Sequence, residues 1–133
     1  MIIALTRKQI EMYHELVLKM DGGLPGEKEP GLIDFMVDRP FTAFFGEEQY
    51  PGLFLKAAVY LHGFATTQRF NDGNKRTGLL CALSFLELNG YELEVHWEDL
   101  YLHTKAVAEH FYSLEDTATW FEVNSRKNYY FLD

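Results

Sequence analysis

The chain is poor in cysteine, proline and positive charge, and each shortage excludes something. One cysteine in 133 residues, Cys81, cannot close an internal disulfide, and no Cys/His spacing suggests a zinc site. Within Leu79-Leu80-Cys81-Ala82-Leu83 it reads as a small buried hydrophobe. No run reaches the ~18 apolar residues of a membrane span, and Met1-Ile2-Ile3-Ala4-Leu5 is too short an apolar start for a secretory signal. The expectation is a cytoplasmic protein with no membrane partner. Twelve basic residues against twenty acidic ones give a net charge of −8, with a pI near 5.0. That field repels nucleic acid and anionic lipid, so direct nucleic-acid binding is not expected, although a local basic cluster can still hold a phosphate.

What is present is core-forming material: 47% hydrophobic and 16% aromatic in 15.5 kDa. A chain of this size buries roughly two-thirds of its unfolded surface and needs no staple. No repeat, low-complexity tract or linker divides it, so residues 1–133 are expected to form one domain. Thr6 with Gln9 three residues on is a capping box. It opens a helix with Ile10, Tyr13, Leu16, Val17 and Met20 on its apolar face, stopped by Asp21-Gly22-Gly23. A turn-rich loop follows from Leu24-Pro25-Gly26 to Pro30-Gly31, then a short helix around Ile33–Val37. Arg39-Pro40-Phe41-Thr42-Ala43-Phe44-Phe45-Gly46 is aromatic and β-prone and predicts a hairpin flap; the competing reading packs these aromatics on the core. A long helix is expected from Gly52 to about Gln68, and an apolar one over Arg76–Leu88, which reads as the hub of the core. Tyr91–Val95 reads as a strand-like connector at most. Helices follow over Trp97–Phe111 and from Ser113 to about Val123. The sum is an all-α domain of five to seven helices with one small β-hairpin flap.

The segment Gln68-Arg69-Phe70-Asn71-Asp72-Gly73-Asn74-Lys75-Arg76-Thr77-Gly78 carries the chemistry. Gly73 permits the tight backbone in which successive N–H groups converge on an anion. The following helix adds its own unpaired N–H groups and the positive end of its dipole. Lys75 and Arg76 supply fixed positive charge, Arg76 as a fork that grips two phosphate oxygens. Asp72 is placed to hold a magnesium ion, which needs only one or two carboxylates beside the phosphates. These parts describe a di- or triphosphate site; the competing reading is a charged helix cap with solvated Lys75 and Arg76. The glycine spacing is not that of a Walker A loop.

Phe70-Asn71-Asp72-Gly73-Asn74-Lys75-Arg76-Thr77 resembles the signature loop of the Fic/Doc proteins, His-x-Phe-x-(Asp/Glu/Asn)-(Gly/Ala)-Asn-(Gly/Lys)-Arg. Lys75 is similar to the Doc, or death-on-curing, branch, as is the loop Gly22-Gly23-Leu24-Pro25-Gly26 with Pro30-Gly31. The helix ending Phe85-Leu86-Glu87-Leu88-Asn89-Gly90 fits as well, so the resemblance covers most of the chain. It implies an all-α Fic fold with Asp72 on Mg2+, Gly73 and Asn74 lining an anion hole, and Lys75 and Arg76 on the phosphates of ATP. Phe70 would be buried to anchor the loop. It also implies a toxin–antitoxin pair: transfer of the γ-phosphate to a threonine of elongation factor Tu, arrested protein synthesis, and inhibition by a separate antitoxin. The flap at Phe41, Thr42, Ala43, Phe44 and Phe45 would hold the target by strand addition. Most Fic proteins transfer AMP instead; Lys75, where those members carry glycine, favours phosphate transfer. The inhibitory Ser/Thr-x-x-x-Glu-Gly/Asn pattern of many Fic proteins is absent.

One departure bears on activity. The first motif position, a histidine in the family, is Gln68. A general base is typically worth ~100- to 10,000-fold in rate, and an amide cannot accept a proton near neutral pH. Catalysis at Gln68 is therefore expected to be impaired, while positioning by Asp72 and Arg76 survives. His62 lies six residues earlier, about 120° around an ideal helix and ~9 Å along it, so it does not substitute. His14, His96, His103 and His110 read as structural or exposed. Gln68 is either a loss-of-activity substitution in a toxin or the mark of a catalytically silent module that still binds nucleotide or antitoxin.

Overall fold

The computed structural model describes residues 1–28, 31–67 and 69–128. Thr6 and Gln9 cap each other as expected: the Gln9 N–H donates to Thr6 Oγ1 at 3.2 Å, and the Thr6 N–H donates to Gln9 Oε1 at 2.8 Å. They start α1 (Arg7–Asp21), which buries Ile10, His14 and Val17. Leu16 and Met20, expected on that face, are 46% and 74% exposed. Leu16 lies about 100° from Val17 around the helix, off the buried stripe, and Met20 sits in the last turn.

α2 (Leu32–Asp38) runs into a 3₁₀ turn (Arg39–Phe41) and then the hairpin β1 (Ala43–Phe44) and β2 (Glu47–Glu48). Its two-residue turn, Phe45-Gly46, has φ of +51° and +82°; positive φ at both turn positions matches the twist of the flanking strands. The flap thus exists, but Phe41 belongs to the preceding turn, where it meets Phe85 edge-on at 6.3 Å.

α3 (Leu53–Ala65) and α4 (Asn74–Leu88) form the central pair, with α5 (Trp97–Ala108) and α6 (Leu114–Asn124) against α3 and with α1 against α4. The centre is α3 rather than α4, because α3 is buried on all sides through Lys56–Leu61 and again at Gly63, Phe64 and Ala65. Small residues make that possible. A Cβ on Gly63 would sit 2.3 Å from Met36 Cε, and one on Gly78 of α4 would sit 2.9 Å from Phe64 Cβ.

Boundaries differ from expectation where side chains intercept the backbone. α3 stops at Ala65, because the Thr66 and Thr67 hydroxyls and Arg69 Nε bond the last-turn carbonyls of His62 and Gly63. α4 starts at Asn74, two residues before Arg76, since Gly73 adopts φ +81° at its N-cap. α5 ends at Ala108, short of Phe111, and His110 turns the chain with φ +66°. Tyr91–Leu93 is a true strand, β3, paired antiparallel with β4 (Ser125–Lys127). Cys81 is wholly buried, as expected, and burial pushes its thiol well above the ordinary range. Among the described residues no helix is long and apolar enough to cross a membrane.

Candidate active site

Between α3 and α4 the chain carries the motif loop, and four contacts fix its shape over residues 69–73. Residues 24–28 run antiparallel to 69–72: the Lys28 N–H donates to the Arg69 carbonyl at 2.9 Å and the Asn71 N–H to the Gly26 carbonyl at 3.2 Å. Asn74 closes the loop on itself, its Oδ1 accepting from the Phe70 N–H and its Nδ2 donating to the Phe70 carbonyl, both at 3.0 Å. Phe70 is buried and stacked between Phe64 at 5.5 Å and the His14 ring at 3.6 Å. His14 Nε2 lies 2.8 Å from the Asp72 carbonyl; a carbonyl only accepts, so Nε2 carries the proton. Gly73 is required twice over, by its positive φ and because a Cβ there would meet Val17 Cγ1 at 3.1 Å.

This loop forms the floor of a cleft of 810 Å³, a size that suits a small-molecule site. Asp21 at the end of α1, Thr66 after α3, and Asp72, Lys75 and Arg76 all line it. Gly73 offers no side chain to the first N–H groups of α4, and no side-chain cap is made there. The positive end of that helix therefore faces the cleft bare. Lys75 is exposed and makes no ion pair among the described residues. Arg76 Nη1 is held by both oxygens of Asp21, at 3.0 and 2.9 Å. Asp72 Oδ2 accepts from the Leu24 N–H at 2.7 Å, which leaves Oδ1 for another partner. Among the described residues no cluster of three or more acidic, His or Cys groups forms a metal cage. A cation shared between Asp72 and phosphate oxygens needs none. Gly73, Asn74, Lys75, Arg76 and Asp72 are thus brought together at one mouth; Gln68 lies outside the described residues.

Residues 2–86 match the Fic/DOC family, more than half of the chain. The chain belongs to the Fic/Doc family. A Toxin Doc from Mycolicibacterium smegmatis is 38% identical over 77 residues, 58% of this chain and 59% of that protein. A Protein kinase doc from Escherichia phage P1 is 35% identical over 89 residues, 67% of this chain and 70% of that one. The chain thus spans 59% of the length of the first of these relatives and 70% of the second, and the family match over residues 2–86 takes in the motif loop. The six α-helices among the described residues and the small hairpin agree with an all-α Fic fold.

Other expected positions fall as follows. Ala43, Phe44 and Phe45 stand at the exposed flap, while Thr42 folds back to Arg39, its hydroxyl donating to that carbonyl at 2.9 Å. His62 sits in α3, which ends at Ala65, and its Nε2 lies 2.9 Å from Thr117 Oγ1 in the α3–α6 seam. Tyr60 of α3 and Thr77 of α4, which no site reading included, are buried and do not line the cleft. The unforeseen members of the site are His14 and Asp21. His14 holds the motif loop from 58 positions away and Asp21 holds Arg76 from 55, so no local pattern announces either.

Proposed function

We propose that this chain is a Doc-type toxin: a phosphotransferase scaffold that takes Mg2+ and ATP and directs the γ-phosphate to a hydroxyl of a translation factor, a threonine of elongation factor Tu in the family's pattern. The observation that carries this reading is the bare N-terminus of α4 opening on the cleft that gathers Asp72, Lys75 and Arg76. The α4 N–H groups and Lys75 would bind the phosphates, Arg76 would grip two oxygens once it turns from Asp21, and Asp72 would hold the cation. Magnesium, when bound, neutralises charge on the transferred phosphate. The flap offers its edge to an extended target segment. A separate antitoxin restrains the toxin, in keeping with the names of the Doc relatives.

A second reading rests on one residue. Gln68 in place of the base histidine favours a chain that binds nucleotide and antitoxin but transfers slowly or not at all. Calorimetric titration with Mg·ATP tests what both readings share. The chain as it stands should bind, and Asp72→Asn or Lys75→Ala should weaken binding ~10-fold or more, as loss of a charged hydrogen bond requires. Equal binding by all three proteins contradicts the site. Gln68→His then separates the readings, since only the toxin regains transfer.

A further inference from the structure

α3 carries an ammonium where its neighbours are hydrocarbon. Lys56 is 1% exposed, flanked by the fully buried Ala57, Ala58 and Val59. Its Nζ donates to Glu48 Oε1 at 2.9 Å and to the Tyr50 carbonyl at 2.5 Å, and lies 5.3 Å from the centroid of the Phe41 ring. An ammonium has three N–H bonds, and here a carboxylate, a carbonyl and a π face receive them. The three partners bracket the flap: Phe41 ends the 3₁₀ turn that leads into it, Glu48 ends β2 and Tyr50 follows it. The hairpin has little else to hold it. Its strands are two residues each, residues 43–49 are all exposed, and isolated two-stranded hairpins are marginal in water. Methionine of similar length would fill the same space without clamping anything.

We infer that Lys56 is a positioning residue: it clamps the entry and exit of the flap to α3 and so fixes where the Phe44–Phe45 edge stands for an incoming protein segment. The target half of this inference rests on the reading of the flap given above; the clamp half does not.

Hydrogen exchange tests the clamp directly. In Lys56→Met the Gln49 N–H, which donates to the Thr42 carbonyl at 2.9 Å, and its flap neighbours should exchange at least ~10-fold faster, with α3 and α4 unchanged. Glu48→Gln should give a smaller acceleration alone and none when added to Lys56→Met, because the two share one interaction. Unchanged flap exchange in Lys56→Met overturns the inference; if that variant does not fold, unchanged exchange in the exposed Glu48→Gln overturns it instead. In a Gln68→His background, Lys56→Met should raise KM for the protein target several-fold while kcat and KM for ATP hold. Faster exchange with an unmoved target KM upholds the clamp and removes the flap from target docking.

Discussion

Acid should loosen the seam where α3 meets α6. His62 Nε2 and His103 Nε2 lie 2.9 and 3.0 Å from the same buried hydroxyl, Thr117 Oγ1. One hydroxyl has one proton, so with both rings neutral one ring accepts from Thr117 and the other donates to it. Protonating the accepting ring turns it into a donor and strands the Thr117 proton, at a cost of about 1–3 kcal/mol for a buried unpaired group. Burial, then the neighbouring His103 and Arg39, push His62 down to about 4 from 6.5, and burial pushes His103 down as well. The unfolded chain therefore takes up a proton near pH 6.5 that the folded one refuses until about pH 4. Stability is intact above pH 6.5 and falls as the pH drops toward 4. For His62 alone the linkage amounts to about 1 kcal/mol between pH 7.5 and 5.5 once solvent screening of the partly exposed ring is allowed for. Urea unfolding at those two pH values measures it, and Trp120, stacked on His103 at 4.2 Å, is the fluorescent reporter. His62→Gln keeps an amide for Thr117 but does not titrate, so it should lose most of that pH dependence. An equal drop in both proteins would refute the reasoning.

Three further outcomes follow from single contacts. Asn74→Ala removes both hydrogen bonds that close the motif loop, which should cost about 1–2 kcal/mol of stability in urea unfolding and weaken Mg·ATP binding in a titration. Gly78→Ala should cost ~1–3 kcal/mol and lower Tm in calorimetry, because its Cβ would stand 2.9 Å from Phe64 Cβ and 3.0 Å from the Leu61 carbonyl oxygen; an unchanged Tm would contradict the close α3–α4 crossing. Asp21→Asn should tighten nucleotide binding up to ~5-fold, since a partly exposed ion pair worth about 0–1 kcal/mol no longer holds Arg76 away from the phosphates. Weaker binding in that variant would make Asp21 a ligand-side group.

The motif loop was legible because its chemistry is local. A glycine that must turn, an asparagine one residue on and two cations in the first helical turn are adjacent in sequence and remain adjacent in space. Helix starts at Thr6 and Ser113 were legible for the same reason, as capping boxes close over three residues. What escaped was long-range. His14 looks like any histidine on an amphipathic helix until the fold brings Asp72 and Phe70 to it. β4 has no apolar alternation; its register comes from β3 and from Arg126, which reaches Glu92 and Glu94 across the pair. The centrality of α3 was hidden by Lys56 and His62, whose polar heads are satisfied by partners from the flap and α6. Over its observed span α3 is in fact the more apolar of the two helices, and α4 opens on the polar run Asn74-Lys75-Arg76-Thr77. The ends of α3 and α5 escaped because two threonine hydroxyls and a positive φ at His110 decided them, not the apolar period.

The most direct test is the intact mass of elongation factor Tu after incubation with Mg2+ and ATP, comparing this chain with its Gln68→His variant. The account predicts a gain of one phosphate with Gln68→His, and none or a small fraction of it with Gln68 in place. An AMP-sized gain, or no change with either protein, would contradict it.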